Sequence, residues 1–243
     1  MLTHKIAYRD HDTSLTGTLV RNGRRSGPSA GVLVVHGGAG PDAHAVKQAH
    51  RFAEAGYVAF ACDMYGADVV GNRERVLAAI EWLRSDRTRI AARAQPAVDI
   101  LRAQPDVGSV AVVGYCFGGL VALELARHGL DLQAFVSVHG TLTTRQPADL
   151  RPIAAPVLVC QGAVDPHCRL EHVLTFAEEM KTAGADWELV LYGRAMHGFT
   201  HDDAKGQMPG VLYDADADAR AFAAIGAFLR RTLGGPAGSA GPV

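Results

Sequence analysis

Cys116 lies in the run from Val110 to Gly119, VAVVGYCFGG, a G-x-C-x-G pattern on Gly114, Cys116 and Gly118. A β-branched strand pattern precedes it and an amphipathic helical pattern follows. That context is a nucleophile elbow with a thiol in place of the usual hydroxyl. The turn at such a nucleophile is tight, and side chains two residues to either side would strike the adjoining strand and helix. The turn also sets the thiol at a helix N-terminus, whose partial positive charge favours the thiolate. A thiolate so placed can attack an electrophilic carbonyl carbon. The competing reading is a small buried cysteine in a glycine-rich turn. Cys62, Cys160 and Cys168 lack this context, and Cys62 and Cys160 read as core residues at strand ends.

A nucleophile of this kind needs a base, and the base needs an orienting acid. With a strand–elbow–helix nucleophile, the expected chain order is nucleophile, acid, histidine. The apolar run PVLVCQ (156–161) leads into Gly162-Ala163-Val164-Asp165-Pro166, which puts Asp165 just past a buried strand. A plain helix cap near Arg169 is the other role open to Asp165. Trp187–Tyr192 leads similarly into Gly193-Arg194-Ala195-Met196-His197-Gly198-Phe199. Of eleven histidines, His197 fits both order and placement, whereas His4, His11, His50, His128 and His172 read as surface or helix positions. His197 would hold Cys116 as thiolate and protonate the leaving alkoxide. Asp165 would fix the imidazole tautomer and balance its charge.

The small-residue loop His36-Gly37-Gly38-Ala39-Gly40 follows another buried strand. Its Gly38 N–H, with that of Phe117, is expected to form an oxyanion hole. A phosphate-cradling loop is the rival, but neither G-x-x-x-x-G-K-[ST] nor G-x-G-x-x-G occurs. The substrate pocket is expected to draw on Tyr65, Arg73, Arg75, His139, Met196, Phe199 and His201. His197 and His201, four apart, would suit a metal if the stretch were helical. Gly198 between them argues against a helix, and Asp202 and Asp203 read as solvated loop residues. No metal is expected there.

The elements that must hold these groups alternate. Ile6–Tyr8 and Leu15–Val20 predict an N-terminal antiparallel hairpin turning at Asp10–Thr13. Strands follow at Gly31–His36, Tyr57–Asp63, Ser109–Gly114, Ala134–His139, Pro156–Gln161 and Trp187–Tyr192. Between and after them come helical patterns at His44–Ala55, Glu74–Ala103 with a break near Pro96, Phe117–His128, Arg169–Ala183 and Ala215–Leu233. Such alternation predicts an α/β fold, a mostly parallel central sheet with helices on both faces. Function then gathers at the carboxyl ends of the strands, where Gly37–Gly40, Asp63–Gly66, Cys116, His139, Asp165 and His197 all fall.

The chain has 243 residues, enough for one α/β domain, expected over residues 1–233. The tail from Gly234 to Val243, GGPAGSAGPV, has the composition of a disordered end. A formal net charge of -1 gives no global field toward nucleic acid or an anionic membrane. The apolar runs are strand length, short of a bilayer span. The polar opening MLTHKIAYRD predicts no secretory signal. Four cysteines without a C-x-x-C pair predict reduced thiols in a cytoplasmic protein, monomeric or homodimeric.

With these residues placed, the sequence resembles the dienelactone hydrolase family. HGGAG, GYVAFACDMYG, VGYCFGG, GAVDP and MHGF carry the likeness, in the family's order, over about residues 31 to 200. The resemblance implies an α/β-hydrolase fold and a metal-free, cofactor-free Cys-Asp-His hydrolase of small-molecule esters and lactones. Acyl transfer, turnover of activated phosphotriesters on the same groups, and a non-catalytic binding role are the alternatives. Many family members carry Glu directly after the position of His36, whereas this chain has Gly37. The family's founding enzymes also hold a substrate carboxylate with arginines. One of those positions matches His201 here, and another falls near Arg73 and Arg75.

Overall fold

The computed structural model describes residues 1–24, 27–146 and 152–234. Eight strands form one sheet: β1 (Leu2–Asp10), β2 (Thr13–Arg21), β3 (Ser29–Val35), β4 (Val58–Cys62), β5 (Val107–Tyr115), β6 (Ala134–Val138), β7 (Val157–Gly162) and β8 (Trp187–Tyr192). Their spatial order is β1-β2-β4-β3-β5-β6-β7-β8. β1 and β2 pair antiparallel, and β2 joins β4 antiparallel. From β4 to β8 every pairing is parallel. The six helices are α1 (Ala43–Glu54), α2 (Arg73–Arg84), α3 (Arg87–Arg102), α4 (Phe117–His128), α5 (Leu170–Thr182) and α6 (Ala215–Leu233).

Strand periodicity sorts the core into two layers. On β3, Leu33 and Val35 pack with the layer that includes apolar residues of α3, α4 and α5. Val32 and Val34 pack with the layer that includes apolar residues of α1 and α6. All four side chains are fully buried, each contributing roughly 1.5–3 kcal/mol of transfer free energy. A strand buried on both faces must be apolar at every position, which is why β3 reads as a continuous run. The result is a rigid platform whose carboxyl edge presents the loops.

One expectation is corrected. The long helical stretch breaks at Ser85–Asp86 and not near Pro96, which lies inside α3. Asp86 is extended at φ -154°, and its carboxylate accepts the N–H of Thr88, so it starts a new helix. A side-chain cap satisfies donors that the first turn leaves unpaired, and here it sets the boundary. The tail beyond Gly234 lies outside the described residues. Among the described residues no helix is long and apolar enough to cross a membrane.

Candidate functional site

The elbow is built by steric necessity. Cys116 has φ 53° and ψ -113°, outside the regions that L-residues favour. A Cβ on Gly114 would fall 1.8 Å from the carbonyl oxygen of Gly118, and one on Gly118 would fall 2.2 Å from that of Val35. Glycine at both positions is what lets β3, β5 and α4 close on the turn. The Cys116 N–H donates to Val138 O at 3.0 Å and to His139 Nδ1 at 3.2 Å.

The turn carries Cys116 Sγ to 3.1 Å from His197 Nε2, and His197 Nδ1 lies 2.9 Å from Asp165 Oδ2. Asp165 is buried and fully engaged. Its Oδ2 also accepts from Gln161 Nε2 at 2.8 Å, and its Oδ1 accepts the N–H groups of His167 and Cys168 at 2.7 and 3.2 Å. The carboxylate therefore closes a turn ahead of α5 and also faces the histidine. Arg169 holds the cap position before α5, with no side-chain cap bond, so Asp165 does not cap that helix.

The electrostatics follow from these contacts. Burial opposes the imidazolium of His197, but the hydrogen bonds to Asp165 and Cys116 outweigh it and push its pKa up to about 10. Burial likewise opposes ionisation of Cys116. Its hydrogen bond and charge interaction with His197, and the backbone N–H groups of Gly38 and Phe117 donating to it, hold the thiol below its ordinary value. Asp165 follows the same pattern: burial raises it, and the bond to His197 with the two backbone N–H groups brings it below the usual carboxylate range. All three shifts favour a thiolate–imidazolium–carboxylate array.

The loop after β3 is fixed by His36, which sequence reasoning left as a strand end. His36 is fully buried; its Nε2 accepts the Met64 N–H at 3.1 Å, leaving Nδ1–H to donate to Gly37 O at 2.6 Å. That clamp orients the Gly37–Gly38 peptides toward Cys116.

Cys116 opens on a cavity of about 740 Å³. Gly37, Gly38 and Ala39 form one wall, and Arg73 stands at another. His167, His197 and His201 line it together with Ala204, Met208 and Val211. Of the seven residues expected at the pocket, Arg73 and His201 line this cavity and the other five do not. Tyr65 is buried against His36 and Phe117, at ring distances of 4.6 and 5.5 Å. Arg75 turns away to donate to Asp68 O at 2.8 Å. Phe199 lies wholly in the core. Met196 is half-buried outside the cavity lining. His139 sits behind Cys116 with no exposed surface.

The stretch from His197 to His201 is a turn, with Gly198 at φ 64°. Among the described residues no group of three or more His, Cys, Asp or Glu side chains is arranged to hold a metal ion. Sequence reasoning missed the wall from Asp203 to Val211. Backbone hydrogen bonds tie this loop to the histidine: His197 N–H donates to Gly210 O at 3.0 Å, and Leu212 N–H donates to His197 O at 3.1 Å. It also missed His167, whose ring centroid is 4.9 Å from that of His197.

The chain is similar to known proteins along nearly its whole length. A dienelactone hydrolase-like promiscuous phosphotriesterase from metagenomic libraries superposes with a TM-score of 0.89 at 36% identity, covering 95% of this chain and 98% of that one. An uncharacterized protein of Caenorhabditis elegans is 34% identical over 62% of this chain and 99% of its own length. A Yersinia pestis protein named "Putative carboxymethylenebutenolidase" is 28% identical over 77% of this chain and 75% of its own length. The model of the dienelactone hydrolase family matches residues 16–233; the chain belongs to that family of hydrolases.

Proposed function

We propose that the protein hydrolyses carboxylic esters and lactones through a covalent intermediate on Cys116. One observation carries the reading: Cys116 Sγ, His197 and Asp165 stand in line at 3.1 and 2.9 Å, at the edge of a cavity large enough for a small ester. In the first step the thiolate attacks the carbonyl carbon. A C–S bond forms, and the displaced π pair moves onto oxygen. Gly38 and Phe117 N–H groups, which already donate to the sulfur, receive that oxyanion. The intermediate collapses with cleavage of the C–O bond, and His197 Nε2–H protonates the departing alkoxide. A thioester remains. His197, now neutral, takes a proton from water, the water oxygen attacks the thioester, and the thiolate leaves the acid product. Asp165 holds Nδ1–H through both steps. In a lactone the alcohol stays tethered to the same product.

A second reading has its own support. The same array suits attack at the phosphorus of an activated triester, and a relative at 36% identity is described as a promiscuous phosphotriesterase.

The test is turnover of p-nitrophenyl acetate and butyrate by wild type and Cys116→Ala, followed by lactones and a p-nitrophenyl phosphotriester. Wild type is expected to show a burst of one nitrophenolate per chain. The variant should lose activity by on the order of 10³-fold or more. Equal activity in the two proteins overturns the reading.

A further inference from the structure

The buried imidazole of His139 has no part in the mechanism above, yet both of its ring nitrogens are engaged. Nδ1 lies 3.2 Å from the backbone nitrogen of Cys116, and Nε2 lies 2.9 Å from Thr200 Oγ1. Thr200 Oγ1 also meets His44 Nε2 at 3.0 Å, and Gln48 Nε2 meets the same nitrogen at 3.1 Å.

The contact with Cys116 permits one neutral tautomer of His139. The Cys116 N–H is a donor, so His139 Nδ1 must be the acceptor, and the neutral ring carries its hydrogen on Nε2. That Nε2–H donates to Thr200 Oγ1. A protonated His139 would set one N–H against another at Cys116.

The placement is costly. His139 has φ 39° and no exposed surface, and it is ringed by Phe199, His197 and His201 at centroid distances of 5.1, 5.4 and 5.6 Å. An apolar residue would fill the space without a buried polar ring to satisfy. What an apolar residue lacks is a lone pair for the nucleophile's own peptide. Cys116 is itself at a strained φ of 53°, and its N–H is held between Val138 O and His139 Nδ1. Two acceptors on one donor fix the plane of that peptide, and with it the direction of Sγ.

We infer that His139, held as a single tautomer between Cys116 N–H and Thr200 Oγ1, is a positioning residue that aims Cys116 at the substrate. The inference rests on Cys116 being the nucleophile. His139 does not line the cavity, and its hydrogen bond to the site is to Cys116 N–H, so the acylation rate should fall while substrate binding holds.

The test is the burst phase with p-nitrophenyl acetate in His139→Leu, His139→Asn and Thr200→Val, with circular dichroism and thermal melting to establish folding. His139→Leu removes the acceptor and is expected to slow the burst about 10- to 100-fold with KM within about threefold, the scale of a misdirected reacting atom. Asn tolerates positive φ and offers Oδ1 as acceptor, so His139→Asn should recover most of the rate. Thr200→Val leaves the backbone of His139 untouched and only unlocks the tautomer; a loss of about three- to tenfold is expected. A wild-type burst in His139→Leu, or equal losses in Leu and Asn, overturns the inference. Should His139→Leu not fold, an unchanged burst in Thr200→Val overturns it. Activity surviving in Cys116→Ala would sink the hydrolase reading itself, whereas a dead Cys116→Ala beside an unimpaired His139→Leu sinks this inference alone.

Discussion

Cys116 and Cys160 belong to strand ends separated only by β6, yet their thiols differ in kind. Cys160 is fully buried within β7, and its one side-chain hydrogen bond is from Tyr192 Oη at 3.7 Å. Burial pushes that thiol up to about 12, beyond what the tyrosine can offset. Cys116 is also opposed by burial, but three groups, His197 and the backbone N–H of Gly38 and of Phe117, reverse the sign. Cys62 at the end of β4 repeats the Cys160 case, raised by burial and by the nearby Asp63. The sheet edge thus makes thiols inert by default. Reactivity is added locally, by the elbow that turns Cys116 out of the strand and by the two loops that bring His197 and Gly38 to it.

Alkylation reads this contrast directly. With iodoacetamide near neutral pH, Cys116 is expected to label at least about 10³-fold faster than Cys62 or Cys160, since rate follows thiolate fraction and access. Peptide mass mapping over time would measure it. Comparable rates at Cys116 and Cys160 would mean that the donors around Cys116 do not act as described.

A second difference lies between His197 and the other histidines around the site. Burial pushes His44 down to about 3 and His139 well below its ordinary value. His197, beside them, is raised, because it faces both a carboxylate and a thiol. The sign for activity follows. The thiolate forms below the ordinary thiol range and His197 keeps its proton to about pH 10, so the charged pair spans the interval between. Acylation should be flat there. It should fall on the acid side as Cys116 is protonated, and on the alkaline side as His197 loses its proton near pH 10. Asp165→Asn removes the strongest support for the imidazolium. Its alkaline limb should move to lower pH, with kcat reduced on the order of 10²-fold or more. A limb unmoved in Asp165→Asn would show that the carboxylate does not set the state of His197.

Sequence reached the line of three because each residue follows a strand whose burial forces an apolar run. Cys116, Asp165 and His197 are each announced by such a run, and the elbow glycines by the clash that any Cβ would bring. The glycine loop beside Cys116, which follows the apolar run of β3, was legible for the same reason. The cavity was not. Asp203 to Val211 is polar and irregular, with no periodicity to say which side chains face inward. Its place is set by two backbone hydrogen bonds to His197, which leave no trace in residue type. His139 and Phe199 misled for the converse reason: they flank the right loops, but their side chains point behind the nucleophile into buried surroundings. The α2–α3 boundary turned on a single cap at Asp86, a weak signal beside the familiar one of Pro96.

Two glycines near the nucleophile give the finest division of the comparison between scaffold and site. Gly118 is scaffold, since a Cβ there meets the Val35 carbonyl at 2.2 Å. Gly37 is site: a Cβ there would lie 3.5 Å from Cys116 Cβ and 3.8 Å from His201 Cε1, ordinary van der Waals contact. Gly37 has no positive φ to preserve. Alanine at 37 therefore leaves the fold, the Gly38 N–H and the thiolate in place, and removes one methyl's volume from the cavity wall beside the sulfur. With p-nitrophenyl acetate, Gly37→Ala is expected to keep kcat within about threefold of wild type. With butyrate, whose longer acyl chain needs that space, kcat/KM should fall about tenfold, the lower end of what one methylene is worth in an apolar pocket. A steady-state comparison of the two esters decides it. Equal losses on both would mean that Gly37 serves the oxyanion loop rather than the acyl pocket, and would move it to the scaffold side of the line.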